Sequence, residues 1–462
     1  MSSYHVENEQ NRIIDVFSGK AKAYIKNAGN RNVFPTNEAL GNLSNLDMEL
    51  QDDPVNSETV LDELDNIGSP ATVTSAGGRY FGFVIGGSLP AAMGANLLAG
   101  VWDQNAGLEI ASPIASRLET ICSKWLNSLL NLPAETEAGF VTGATMANFT
   151  ALAAARHAML EKAGWNVEED GLFGAPPITV IIGEEAHVSL LKALSLLGLG
   201  RNRVIRVPCD NQGRMLAESI PEFSENTILC IQAGNVNTGA FDPADKICEM
   251  AHKKNAWVHV DGAFGLWAIA SSERRYLTRG FEKADSWATD AHKWLNVPYD
   301  SGIAFVKDSR SLTASMSQQA AYLIQQGSRN PFIYVPELSR RARGIEIWAA
   351  LRSLGRKGLE DLINRNCDLA VVFAEKLKSA GFHILNDVVL NQVLVSFGNP
   401  ELTKSIIKLI QDDGTCWCGG TTWQNQTAMR ISISSWKTSR EDIDNSANAI
   451  IKIAKEFVAH PA

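Results

Sequence analysis

In the stretch AWVHVDGAFG an apolar run delivers Asp261 to its carboxyl end, and in ADSWATDAHKW a second run delivers Lys293, 32 positions later. A carboxylate taken out of water needs a partner, because an isolated buried charge is very costly. Taken singly, Asp261 reads as half of a salt bridge and Lys293 as a surface lysine after a strand. Taken together, at the ends of strands in one sheet, they meet the two needs of pyridoxal phosphate chemistry. A lysine amine binds the cofactor aldehyde covalently, and a carboxylate keeps the pyridine nitrogen protonated so that the ring accepts electrons.

A phosphate cradle is the third requirement. GFVTGATMANFTAL reads as a strand, a tight Gly143-Ala144-Thr145 turn and an Ala-rich helix. Free N–H groups, small residues and the helix dipole there suit a phosphate, although many strand–helix turns look alike. His187, in GEEAHVSL, again follows an apolar strand. It reads either as a structural histidine or as a ring stacked on one face of a pyridine, with Ala263 covering the other.

These residues need a scaffold that brings strand ends together. Strands are predicted at Gly139–Thr142, Ile178–Ile182, Val204–Val207, Thr227–Gln232, Trp257–Val260, Ser286–Thr289 and Gly302–Lys307. Most are continuously apolar, as suits a sheet covered on both faces. Helical stretches such as Met146–Leu160 and Val188–Leu197 alternate with them. This rhythm predicts an α/β fold with an open, mostly parallel central sheet and a ligand site at the strands' carboxyl ends. After about Ser311 the rhythm changes. A polar flap-like stretch leads into helices from Ser339 and around Asp361–Ala380, strands at Val393–Phe397 and Met429–Ser434, and a last helix capped near Ser439. The expected division is an N-terminal arm and dimerisation segment (1–69), a large cofactor-binding domain (70–320), and a flap with a small C-terminal α+β domain (321–462).

The 462 residues are 45% hydrophobic and 20% charged, which excludes disorder as the main state. A net charge of −9 without a basic run argues against nucleic-acid binding. Leu89–Trp102 is too short for a membrane span and reads as a buried helix. The amino terminus lacks a signal-peptide core. Seven scattered cysteines read as free thiols, with no zinc-site spacing and no metal expected, and together these features point to the cytoplasm.

Seven blocks, RYFGFVIGGSLPA, TGATMANFTAL, EEAH, GNVNTGAFDP, HVDGAFG, DAHKW and SRRARGIEIWAALRSLGRKGL, resemble in order those of the group II pyridoxal-phosphate-dependent decarboxylases, relatives of aromatic amino acid and glutamate decarboxylases. The resemblance covers most of the chain. It implies the aspartate-aminotransferase-like fold (fold type I) and a homodimer with shared active sites. It also implies a carboxy-lyase that removes the α-carboxylate of an L-amino acid. Lys293 would bind pyridoxal 5′-phosphate and Asp261 would pair with the pyridine nitrogen. His187 would stack opposite Ala263, while Gly143, Ala144, Thr145 and His292 would surround the phosphate. Tyr80, Phe81 and Phe83 would lie near the substrate entrance. Two positions depart from the family. Asn235 replaces a usual Thr facing the cofactor's phenolic oxygen, and the flap offers Tyr322, Phe332 and Tyr334 for a reprotonating tyrosine. A Phe in that role would shift the outcome toward an aldehyde. The block MRISISSWKTSREDID also resembles the Arg-containing strand that clamps a substrate carboxylate in class V aminotransferases. Arg430 therefore either supports transamination or pairs with a nearby acid. Arg340, Arg341 and Arg343 are expected on a solvated or interface face, and His259 at the edge of the core.

Overall fold

The computed structural model describes residues 3–317 and 329–459. Seven strands form the larger sheet: β1 (Glu137–Val141), β2 (Thr179–Gly183), β3 (Ile205–Val207), β4 (Thr227–Gln232), β5 (Trp257–Asp261), β6 (Ser286–Asp290) and β7 (Gly302–Val306). Their order is β1-β7-β6-β5-β4-β2-β3, and β7 alone runs against its neighbours. The continuously apolar runs pack on both faces. Phe140, Val258, Val260, Trp287 and Phe305 are all fully buried. The expected mostly parallel sheet is present, and all seven predicted strands lie in it.

A smaller antiparallel sheet of β8 (His383–Ile384), β9 (Gln392–Ser396), β10 (Gly419–Trp423) and β11 (Gln426–Ser432) is ordered β10-β11-β9-β8. It packs with the helices Pro400–Asp413 and Arg440–Ala459. The last of these starts with the predicted cap. Asp442 donates its N–H to Ser439 Oγ, and Ser439 returns its own N–H to the Asp442 carboxylate.

Three local readings differ from expectation. The two helices expected after Ser339 form one long element, Gly344–Ser379, broken at Gly355. There φ is +60°, a conformation glycine adopts without steric penalty. The helix Pro90–Trp102 is not buried: only Ala92 and Ala99 are, while Leu97, Leu98, Val101 and Trp102 are exposed. Arg340 and Arg343 are not solvated but buried, because acids wait for them inside. Arg340 donates to Glu119 at 2.6 Å and to the Phe140 carbonyl at 2.8 Å, and Arg343 donates to Asp300 at 2.8 Å. Arg341 pairs with Glu346. All seven cysteines are free.

Candidate active site

The parallel strands carry their chemistry at one edge. Beyond β1 lies Gly143, beyond β2 His187 and beyond β4 Asn235; β5 ends in Asp261, and β6 ends in Asp290, three residues before Lys293. The apolar strands bury these ends, so each polar group there must find a partner.

Lys293 Nζ sits 3.0 Å from Asp290 Oδ2. The other oxygen, Oδ1, accepts the Ala144 N–H at 2.5 Å and lies 3.4 Å from His292 Nε2. His292 Nδ1 accepts the Ser301 N–H at 3.0 Å, which leaves the ring proton on Nε2, facing Asp290. Burial lowers the His292 pKa, so the neutral ring is favoured. It stacks on Tyr299 with centroids 4.2 Å apart. Gly143 is required here, since a Cβ would stand 3.1 Å from His292 and 3.3 Å from Asp290. Gly86 is equally constrained, because its Cβ would strike the Lys293 carbonyl.

Asp261 is buried and accepts the N–H of Ala263 at Oδ1 and the amide of Asn148 at Oδ2, both at 3.3 Å. His187 caps the helix Val188–Leu196, its Nδ1 accepting from the Ser189 N–H and lying 2.7 Å from the Ser189 hydroxyl. Burial lowers its pKa, and Asp261, Lys293, Arg430 and Asp290 all lie close enough to act on it electrostatically. The five side chains therefore converge on one place.

Arg430 is the cation expected to find an acid, and among the described residues it has none. Its contact is Asn237 Oδ1 at 3.4 Å, and burial lowers its pKa. Asn235 turns its Oδ1 to the N–H groups of Asn237 and Thr238, leaving Nδ2 buried and without a partner. Thr145 keeps its hydroxyl and N–H free of other described residues at the start of the helix Ala144–Lys162. The Ala144 N–H, also expected to hold phosphate, is already committed to Asp290. A guanidinium with no acid among the described residues, an orphaned amide, a helix N-terminus whose Thr145 is still unengaged and an amine–carboxylate pair form a donor set that fits pyridoxal phosphate.

The aromatic residues near position 80 separate. Tyr80 stacks on Trp417 at 5.1 Å between centroids, and Phe83 packs against the same ring at 5.4 Å. Phe81 instead lies in the core of the smaller sheet, against Phe373. Phe332 and Tyr334 do not reach the strand ends of their own chain. Phe332 donates its N–H to the Gly107 carbonyl, while the Tyr334 backbone meets Gly139 within β1 and its ring lies under Arg329, which pairs with Glu137. Tyr322 lies outside the described residues. Sequence reasoning missed three working positions. Asp290 stood in the quoted block without a role. Asn148 was legible as the residue one helical turn after Ala144. Asn296 had no sequence signal, yet its side chain accepts from Gly87 and Trp436 and donates to the Ser434 carbonyl, tying two distant segments to the lysine loop.

Comparison with known proteins identifies the family and the fold. The family model of the pyridoxal-dependent decarboxylase conserved domain matches residues 41–398. The aromatic-L-amino-acid decarboxylase of Bacillus atrophaeus is 26% identical over 394 residues, covering 80% of this chain and 78% of that protein. An acidic amino acid decarboxylase of Mus musculus is 30% identical over 278 residues, 57% of this chain, and the match spans about half of that relative (50%). Among solved structures, Oryza sativa TDC with PLP and tryptamine superposes with a TM-score of 0.89 at 21% identity, covering 99% of both chains. The fold is thus that of the fold type I pyridoxal-phosphate enzymes, and the chain, matched over most of its length, belongs to the pyridoxal-dependent decarboxylases, carboxy-lyases that act on amino acids with pyridoxal phosphate as cofactor.

Proposed function

We propose that this enzyme decarboxylates an L-amino acid with an aromatic side chain, with Lys293 as the cofactor-bearing amine. The observation that carries this reading is the aromatic wall of Tyr80, Trp417 and Phe83 beside the charged cluster. Tyr80 acts electrostatically on Tyr299, and Tyr299 stacks on His292 next to Asp290 and Lys293. Offset aromatic pairs contribute about 0.5–1.5 kcal/mol beyond the area they bury, which favours a flat, apolar substrate side chain.

Pyridoxal phosphate, when bound, supplies a conjugated electron sink for the pair left as CO2 departs from Cα. Asp261 holds a proton at the ring nitrogen, with Asn148 and the Ala263 N–H fixing its two oxygens. His187 offers a flat, neutral face. Thr145 holds the phosphate with the helix dipole, His292 lies beside it, and Asn235 offers its free amide to the phenolic oxygen. Selectivity would lie in how these residues orient the substrate's carboxylate and side chain. Burial and the stacked aromatic rings exclude water from the cluster.

The exposed apolar face of the helix Pro90–Trp102 supports a homodimer, because burying Leu98 and Val101 against a second copy removes area worth about 25 cal/mol per Å2. Seven free thiols suit the cytoplasm. No helix among the described residues is long and apolar enough to cross a membrane. A second reading rests on Arg430. With no acid partner among the described residues, it would be available to hold the substrate carboxylate, which would favour transamination over loss of that carboxylate.

Incubating the reconstituted enzyme with a panel of L-amino acids and identifying products by mass spectrometry tests both. An amine lighter than its aromatic substrate by CO2 is the expected product. A 2-oxo acid would favour the Arg430 reading, and an aldehyde would point to the flap. An amine only from aliphatic or acidic substrates would retire the aromatic assignment.

A further inference from the structure

Behind Asn148, which holds Asp261, runs a line of buried polar groups that no step above uses. Trp257 Nε1 lies 2.9 Å from Ser286 Oγ, and Ser286 Oγ lies 2.9 Å from His259 Nδ1. His259 Nε2 lies 2.8 Å from Asn148 Oδ1, and Asn148 Nδ2 lies 3.3 Å from Asp261 Oδ2. Ser286, His259 and Asn148 are fully buried, so water does not compete for these bonds.

The chemistry of each group fixes the direction of the line. Asp261 as a carboxylate only accepts, so Asn148 turns its NH2 to Asp261 and its Oδ1 to His259 Nε2. The neutral ring must then accept the Ser286 hydroxyl proton at Nδ1, while Ser286 Oγ accepts from the Trp257 indole. The neutral imidazole then carries its hydrogen on Nε2 and donates it to Asn148 Oδ1. That contact orients the amide, so its NH2 faces Asp261. A flipped amide would set a carbonyl oxygen against a carboxylate and two N–H donors against each other. Full burial keeps His259 neutral, its pKa pushed down to about 3.

We infer that His259, with Ser286 and Trp257 behind it, is a positioning residue. It locks the Asn148 amide so that Asp261 always meets a donor on its inner oxygen, leaving its carboxylate aimed at the cofactor's ring nitrogen. The inference rests on the proposed role of Asp261. It adds that the grip on the cofactor is set two residues away from the carboxylate itself. Asn148 lies one turn from Ala144 on the same helix, so a single helix orders both the phosphate end and the ring-nitrogen end of the site.

Two measurements test it. The first is 15N NMR of histidine-labelled protein without added cofactor, which reads the tautomer with no turnover involved. The expected result is that the ring whose signals are absent from the His259→Gln variant does not titrate and keeps its proton on Nε2 between about pH 5.5 and 8.5, a range that spans the ordinary histidine pKa of about 6.5. A proton on Nδ1, or titration of that ring in this range, would overturn the relay. The second is the affinity for pyridoxal 5′-phosphate by equilibrium dialysis. His259→Phe frees the amide to flip and weakens affinity about tenfold, the loss of one charge-assisted hydrogen bond. His259→Gln, which keeps an acceptor for Ser286 and a donor for Asn148, restores most of it. The Asn148→Leu/His259→Phe double variant is no weaker than Asn148→Leu alone. Equal affinities for the Phe and Gln variants, or additive losses, would assign His259 to packing only. Should Asp261→Ala retain full affinity and turnover, the reading of Asp261 fails while the tautomer result stands.

Discussion

Lys293 and the phosphate cradle are joined through one carboxylate: Asp290 accepts from Lys293 Nζ at 3.0 Å on one oxygen and from the Ala144 N–H at 2.5 Å on the other. The helix N-terminus that should receive a phosphate thus already faces an anion. Two anions at one helix end repel, by an amount on the order of 1–2 kcal/mol at partly screened distances. Asp290→Asn keeps an acceptor for Ala144 and removes the charge. Its affinity for pyridoxal 5′-phosphate is expected to rise about tenfold, as a shift of 1.4 kcal/mol implies. Equilibrium dialysis of both proteins checks this, and unchanged or weaker binding would mean that Asp290 contributes to the cradle.

His259 gives stability a pH dependence of known sign. Its pKa falls from 6.5 in the unfolded chain to about 3 in the folded one because burial disfavours the imidazolium. Between those values the unfolded chain binds the extra proton, so stability present above pH 6.5 is lost as the pH falls toward 3. The slope from one such group approaches about 1.4 kcal/mol per pH unit. Urea unfolding at a series of pH values compares wild type with His259→Gln. The variant's acid limb should be shallower by one proton, although His187 and His292, also lowered by burial, keep theirs. Parallel curves would show that His259 is not held neutral.

The Arg340–Glu119 pair carries stability and not catalysis. Both side chains are almost wholly buried, and a second guanidinium nitrogen holds the Phe140 carbonyl at the end of β1. Removing one partner strands the other charge in a dry interior, which costs about 3–5 kcal/mol. Glu119→Ala is expected to unfold at clearly lower denaturant concentration, while Glu119→Ala with Arg340→Met recovers much of the loss. Calorimetry of the two variants reads this directly, and a double variant as weak as the single one would argue against stranded charge.

The sequence made the sheet legible because its strands are buried on both faces and therefore read as unbroken apolar runs with Asp or Gly at their ends. Asp261, Lys293 and His187 were visible for the same reason, as polar residues at or within four positions of the carboxyl ends of such runs. Arg340 and Arg343 were misread because charge in a helix-flanking segment says nothing of an acid waiting elsewhere in the chain, Glu119 on another helix and Asp300 in a loop before β7. Phe81 was misread because neighbouring residues point to opposite sides, so Tyr80 faces Trp417 while Phe81 faces Phe373, and Phe83 comes back to Trp417 only through a turn with φ of +52°. Asn296 acts through contacts between segments far apart in the chain, and such pairings leave no local pattern.

Trp417 and Arg430 make opposite predictions about selectivity. Trp417 stacks on Tyr80 nearly in parallel, with 10° between planes, and also meets Phe83, whose ring is 61% exposed and free to contact a substrate. Removing the indole takes away a surface that only a flat side chain uses. Trp417→Leu should therefore lower kcat/KM for an aromatic amino acid about tenfold while changing that for an aliphatic one by less than about threefold, since an aromatic contact is worth roughly 0.5–1.5 kcal/mol plus buried area. Arg430 sees a group common to every amino acid. Arg430→Leu should lower kcat/KM for all substrates alike, by about 1.5–3 kcal/mol if its carboxylate contact is charge-assisted. Steady-state kinetics on one aromatic and one aliphatic substrate separates the two residues. A Trp417 variant that loses both substrates equally would place the aromatic wall in packing, and an Arg430 variant that loses only one would make Arg430 a reader of the side chain.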